Sequence, residues 1–242
     1  MPLRIAMWSG PRNISTALMR SFGSRHDTVV CDEPLYACYL ARVEVDHPGR
    51  EEIVARCETD WRKVAEFLTG PIPSGAQVFY QKHMAHHLLP EVGRDWLAAL
   101  QHGFLIRDPR EMLLSLSKVT PRPSVLDTGL PQQLELFRQV ERRIGRTPPV
   151  VDAKDVLLDP AGVLRALCTA FDLEFTPAML RWESGLRATD GIWAPHWYAE
   201  VARSTGFERW RPRDEALPAA LAGVHEQCVE PYRFLYERRL VA

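Results

Sequence analysis

The chain has 242 residues, 46% of them hydrophobic and 25% charged, with a formal net charge of -1. This is globular composition, enough for one α/β domain or two small ones. Near-neutrality leaves no global basic field for nucleic acid or an anionic membrane, so an anionic ligand must be met by a local cluster.

Residues 3–8 read as an apolar strand, and Ile14, Leu18 and Phe22 at helical spacing place a helix over 15–25. Between them Ser9-Gly10-Pro11-Arg12-Asn13-Ile14-Ser15-Thr16 forms a polar turn. A helix N-terminus offers unpaired N–H groups and the positive end of its macrodipole, so this turn suits phosphate or sulfate. Plain capping by Asn13 or Ser15 is the competing reading, but a cap needs neither Arg12 nor two adjacent hydroxyls. The ATP/GTP loop pattern G-x-x-x-x-G-K-[ST] is absent, and Arg12 takes the cation position. Thr28–Cys31 is a second strand ending in Asp32-Glu33-Pro34, followed by a weak helix near 35–43. Residues 44–60 form a polar excursion before a helix near 60–68. Gln77–Tyr80 is a strand followed by Gln81-Lys82-His83-Met84-Ala85-His86-His87, and His102–Ile106 is a strand ending at Arg107.

Asp108-Pro109-Arg110-Glu111 then opens a helix to about Ser117, with Asp108 as N-cap and Glu111 completing a capping box. Residues 118–130 hold two prolines, Pro121 and Pro123, and read as a mobile loop. A helix over 131–145, a strand over 149–152 and a helix over 160–171 follow. Alternating strands and helices predict a parallel sheet covered on both faces, with ligands past the carboxyl ends of its strands. Arg12, Glu33, His83 and Arg107 each fall just after a predicted strand, so four separate segments bring polar groups to one edge.

Capping does not explain Arg107, whose guanidinium can hold a phosphate bidentately. Ser115, two turns on, is by itself as well read as a small packing residue. His83 and His87 have the i, i+4 spacing of a zinc helix, but no glutamate base lies between them and no third ligand is evident, so no metal is expected. A neutral imidazole can accept a proton from a hydroxyl, and so can the carboxylate of Glu33. Cys31, Cys38, Cys57, Cys168 and Cys228 contain no C-x-x-C, no secretion signal is visible, and no apolar run approaches the ~18 residues of a spanning helix. A cytoplasmic location without membrane insertion is therefore expected; nothing in the sequence speaks to oligomeric state.

In this order the motifs resemble those of sulfotransferases that use 3′-phosphoadenosine 5′-phosphosulfate (PAPS). Pro11-Arg12-Asn13-Ile14-Ser15-Thr16 is similar to the family's 5′-phosphosulfate loop, with Arg12 for the commoner lysine. An Arg ending a strand and a Ser eight residues later, here Arg107 and Ser115, resemble its 3′-phosphate motif. Gln81-Lys82-His83 resembles a Lys-x-His strand end, with Gln81 in the place of a lysine. Lys154-Asp155-Val156-Leu157-Leu158-Asp159-Pro160 and Ser204-Thr205-Gly206-Phe207-Glu208-Arg209-Trp210 resemble later family segments. The second of these implies donor contacts from Thr205 and Phe207.

The resemblance implies one domain over 1–242, a three-layer α/β fold like that of P-loop nucleotide hydrolases, and acceptor-shaping insertions at 44–60 and 118–130. It implies sulfuryl transfer from PAPS to a hydroxyl or amine of a small molecule without metal. Arg12 would stabilise charge, and His83, with Glu33 as rival, would act as base. Ile14 stands where the family has glycine, so its backbone is expected to avoid positive φ. A kinase-like enzyme requiring Mg²⁺ and a non-catalytic module binding the product PAP are the alternatives.

Overall fold

The computed structural model describes residues 2–45 and 47–241. In chain order its elements are β1 (Leu3–Ser9), α1 (Ser15–Gly23), β2 (Thr28–Asp32), α2 (Tyr36–Leu40), α3 (Arg50–Arg56), α4 (Trp61–Thr69), β3 (Val78–Met84), β4 (Gln101–Ile106), α5 (Pro109–Leu116), α6 (Leu130–Ile144), β5 (Val150–Asp152), α7 (Ala153–Leu158), α8 (Pro160–Ala170), α9 (Ala194–Trp197), α10 (Ala199–Arg203) and α11 (Ala222–Tyr236), with short 3₁₀ turns between them. The five strands form one sheet in the order β2-β3-β1-β4-β5, and every pairing is parallel.

Strand β1 shows why both faces are covered. Ile5, Ala6, Met7 and Trp8 are all fully buried, the continuous apolar run of a strand packed on both sides. Ala6 and Trp8 join Phe79, Phe104 and Ile106 beneath Val64 and Leu68 of α4, Phe137 of α6 and Leu235 of α11. Ile5 and Met7 face the other way, against Leu18 and Phe22 of α1 and Leu164 and Leu167 of α8. Beyond these layers, α2, α3 and α9 hold an aromatic cluster of Tyr36, Trp193 and Tyr198 past the end of β2.

Four departures from the sequence reading have physical causes. Strand β3 runs on to Met84, because its register on β1 continues through Trp8↔His83 and Ser9↔Met84. Gln81, Lys82 and His83 are therefore strand residues and point alternately to opposite faces. Helix α11 was masked by Pro231, which lies inside it. The polar excursion at 44–60 contains helix α3, opened by Gly49 at φ 77°. The 118–130 segment, expected to be a mobile loop, is anchored at its far end. Thr128 is fully buried, and Gly129 packs on Gly10.

Candidate active site

The loop after β1 is held in an unusual backbone conformation. Arg12 and Ile14 both take positive φ, 59° and 56°. The expectation for Ile14 was the opposite, so the structure corrects it. The residues around it impose the strain. Asn13 is buried and donates through Nδ2 to the Leu105 carbonyl at 3.3 Å, Leu18 N–H donates to the Ile14 carbonyl at 3.0 Å, and the Ile14 side chain packs on the apolar face of α1. A β-branched residue in this region costs on the order of 1–3 kcal/mol, a cost usually met at functional sites. Backbone N–H groups in such a turn converge into an anion-binding nest. Neither Asn13 nor Ser15 caps α1: its first N–H groups donate to no capping side chain, so the capping reading of the turn does not hold. Ser15 is buried in the first helical turn, and Thr16 and Pro11 are half-buried. Gly10 is required because a Cβ there would lie 2.2 Å from the Thr128 carbonyl oxygen.

Two arginines meet at this loop. Arg12 Nε donates to Ser115 Oγ at 2.9 Å, and Arg107 Nη1 donates to the Arg12 carbonyl at 2.7 Å. Ser115 therefore faces the loop across the sheet edge, where the packing reading would have hidden it. Glu111 aims Arg107, accepting from its Nε and Nη2 at 3.2 and 3.0 Å. Its other oxygen accepts from the Trp210 indole at 2.8 Å. The capping box is thus only half made: Asp108 accepts from Glu111 N–H at 3.1 Å, while the Glu111 carboxylate serves Arg107 and Trp210. Arg12 also approaches the exposed Glu200 of α10, at 3.8 Å. Phe207 packs edge-on to Trp182 at 5.0 Å, and the Thr205 carbonyl accepts from Trp182 N–H at 3.1 Å. Phe207 also packs on the α1 face of the sheet.

At the ends of β2 and β3 lies a buried charged cluster. The register pairs Asp32 with Lys82, and Glu33 N–H donates to the Lys82 carbonyl at 2.9 Å. Lys82 Nζ donates to Asp32 Oδ1 at 2.8 Å, Glu33 Oε1 at 2.6 Å and Tyr198 Oη at 2.6 Å. Burial favours neutral Lys82, but the charges of Asp32 and Glu33 outweigh it and hold the ammonium well above its usual range. Burial raises the Glu33 carboxyl, and Lys82 pulls it part of the way back. Glu33 itself sits at φ 41°, another strained non-glycine. The function of Lys82 was missed in the sequence. Its signal was a lysine inside a buried strand, which requires a buried counter-charge.

His83 lies on the opposite face of β3 from Lys82. It is buried, its ring is stacked on Trp8 at 4.3 Å, and its Nε2 is 3.3 Å from Gln81 Oε1. Burial pushes its pKa down to about 3. The structure does not bring His83 to the crevice. The expectation failed because it placed the residue after the strand when it lies within it. Gln81 is likewise turned inward, donating to the Leu68 carbonyl at 2.9 Å. His87, at the end of a 3₁₀ turn, places Nδ1 3.8 Å from Glu33 Oε2.

The chain resembles two curated proteins of Arabidopsis thaliana, branched-chain-amino-acid aminotransferase-like proteins 1 and 2. It is 35% and 34% identical to them over 97% and 96% of its own length. It spans only 42% and 41% of theirs, about two-fifths, and their names describe the whole proteins. Among solved structures, the fold is similar to a sulfotransferase domain from the curacin biosynthetic pathway (TM-score 0.56, 14% identical, 95% of this chain and 98% of that one). It is also similar to a sulfotransferase from Alicyclobacillus acidocaldarius (TM-score 0.53, 10% identical, 100% and 98% covered). A family model described as a sulfotransferase domain matches residues 3–222, and the chain belongs to that family.

Proposed function

We propose that this chain transfers a sulfuryl group from PAPS to a hydroxyl or amine of a small-molecule acceptor. The observation that carries the reading is the meeting of the strained Gly10–Thr16 loop with Arg12, Arg107 and Ser115 at the carboxyl edge of a parallel sheet. The residues present fit a nucleotide with two separate anionic groups: a backbone nest, an uncapped helix start, two guanidinium groups and a buried serine hydroxyl. PAPS supplies the sulfuryl group and leaves as PAP.

The loop N–H groups, Ser15 and Thr16 hold the 5′-phosphosulfate. Arg107 and Ser115 hold the 3′-phosphate, and Thr205 and Phe207 lie toward the adenosine. Arg12 stabilises charge on the oxygen that bridges phosphorus and sulfur; because an arginine stays protonated in proteins, its contribution is electrostatic. Positioning of donor and acceptor supplies much of the rate, as in phosphoryl transfer. Glu33 is the better-placed base, since His83 is enclosed by Trp8 and Trp96. No step in this reading calls for a metal. The segments 44–60 and 118–130 flank the site and shape the acceptor side. Among the described residues no helix is long and apolar enough to cross a membrane. A cytoplasmic setting, without nucleic-acid or membrane partners, suits the near-neutral charge.

Isothermal titration with PAP, ATP and Mg-ATP tests the reading, alongside ³⁵S transfer from labelled PAPS to a panel of phenols and amines. Preferential binding of PAP without Mg²⁺, with label transfer, is expected. Tighter binding of Mg-ATP would instead identify a kinase-like enzyme, and PAP binding with no transfer would identify a non-catalytic module.

A further inference from the structure

The proposed base must be ionised and correctly aimed, yet Glu33 is only 8% exposed, and a buried carboxyl favours its protonated form. The groups around it answer that problem. From β2 comes Asp32, from β3 Lys82, from the junction of α9 and α10 Tyr198, from the turn after β3 His87, and from α2 Tyr36. Lys82 donates to Oε1 at 2.6 Å and also to Tyr198 Oη at 2.6 Å, while Tyr198 Oη, whose own proton faces Asp32 Oδ2, lies 3.5 Å from Oε1. Oε2 receives no hydrogen bond from any described residue. Asp32 is fully engaged elsewhere, by Lys82, by Tyr198 Oη at 2.7 Å to Oδ2, and by Gly191 N–H at 3.0 Å.

Resting on the reading of Glu33 as base, we infer that Lys82 is its positioning residue and that Tyr198 and Asp32 hold that lysine in place: Lys82 clamps Oε1 and leaves Oε2 turned toward the acceptor as the destination of its proton. In the step they serve, the acceptor lone pair forms a bond to sulfur, and the acceptor proton passes to Glu33 Oε2. The sulfur–oxygen bond to the 5′-phosphate breaks, and its electron pair leaves with PAP. Lys82 and Tyr198 keep their protons throughout. A lysine that merely filled the core could face away from the acid; this one is placed by the β2–β3 register directly beside it. Tyr198 adds a second consequence. It ties the 191–203 segment, which also carries Glu200 toward Arg12, to Asp32, the neighbour of the base.

The test measures titration of the Glu33 carboxyl by ¹³C NMR of the full chain labelled at glutamate Cδ, with Glu33→Gln assigning the signal. It is run on the wild type and on Lys82→Met, Lys82→Arg and Tyr198→Phe, with PAP affinity followed in parallel. The Glu33 midpoint is expected to rise by about one pH unit or more in Lys82→Met, because an opposite charge at contact distance is removed. It should rise less in Tyr198→Phe and return toward wild type in Lys82→Arg, with PAP affinity changed less than about twofold. The acid limb of the pH–rate profile for 2-naphthol or tyramine sulfation should move with it. If Lys82→Met fails to fold, Lys82→Gln, which also removes the charge, takes its place. An unchanged midpoint in the folded charge-removing variant, or a midpoint in Lys82→Arg raised as far as in that variant, overturns the inference, even where thermal stability drops. Full activity in Glu33→Gln overturns the reading of Glu33 as base, which is a separate result.

Discussion

Arg107→Ala is expected to weaken PAP binding by about 1.5–3 kcal/mol, the range for hydrogen bonds to charged groups, or roughly 10- to 150-fold at 1.4 kcal/mol per decade. The site explains both the size of the loss and how to isolate it. Arg107 makes one hydrogen bond to the Arg12 carbonyl and two to Glu111, and its side chain is only 12% exposed. The substitution therefore removes a phosphate-facing cation and also leaves a mostly buried carboxylate with only the Trp210 indole. The second effect lowers stability independently of ligand. Glu111→Gln in the same chain removes the orphaned charge, so the double variant should regain much of its thermal stability without regaining PAP affinity. Isothermal titration reads the affinity and thermal denaturation the stability. ATP, which lacks a 3′-phosphate, should lose much less than PAP. An equal loss for both nucleotides, or recovery of PAP affinity in the double variant, would refute the role given to Arg107.

Glu33→Gln should lower turnover by about 10²–10⁴-fold, the usual effect of losing a placed base, whereas His83→Ala should cost stability through the cavity beside Trp8 and leave turnover within a few-fold; steady-state rates and melting curves separate the two. Gly10→Ala should abolish PAP binding or folding, because a Cβ would fall 2.2 Å from a main-chain oxygen that cannot rotate away; a folded variant with normal titration would contradict this. Asp152, buried at the end of β5, has its pKa raised from 3.8 to about 6 by desolvation. A carboxyl raised on folding contributes stability that is present below its unfolded value and lost as pH rises through its folded value. The wild type should therefore lose about 3 kcal/mol relative to Asp152→Asn between pH 4 and pH 7, measured by urea titration.

The order of strands and helices was legible because β1, β3 and β4 are apolar runs bounded by polar turns and α1 keeps a clear helical spacing. The loop after β1 and Arg107 drew notice because each is a local pattern beside a strand end, and the structure brings Arg12, Arg107 and Ser115 together there. Non-local facts were not legible. That β3 continues to Met84 depends on its register with β1, and this alone turned His83 inward and Lys82 toward Asp32. Ile14 at positive φ could not be read from a β-branched residue, since tertiary anchoring through Asn13 overrides its local preference. Glu111 looked like half of a capping box because its proximity to Arg107 and Trp210 exists only once the chain past 203 has folded back.

That returning stretch has few anchors. The Trp210 indole on Glu111, Lys154 over the Trp210 ring at 4.4 Å, and the guanidinium of Arg110 on the carbonyls of Arg213 and Glu215 fasten it to the sheet. A nick after Arg203 would therefore be felt first at Arg107, because the carboxylate aiming it is shared with an indole 99 residues further along the chain.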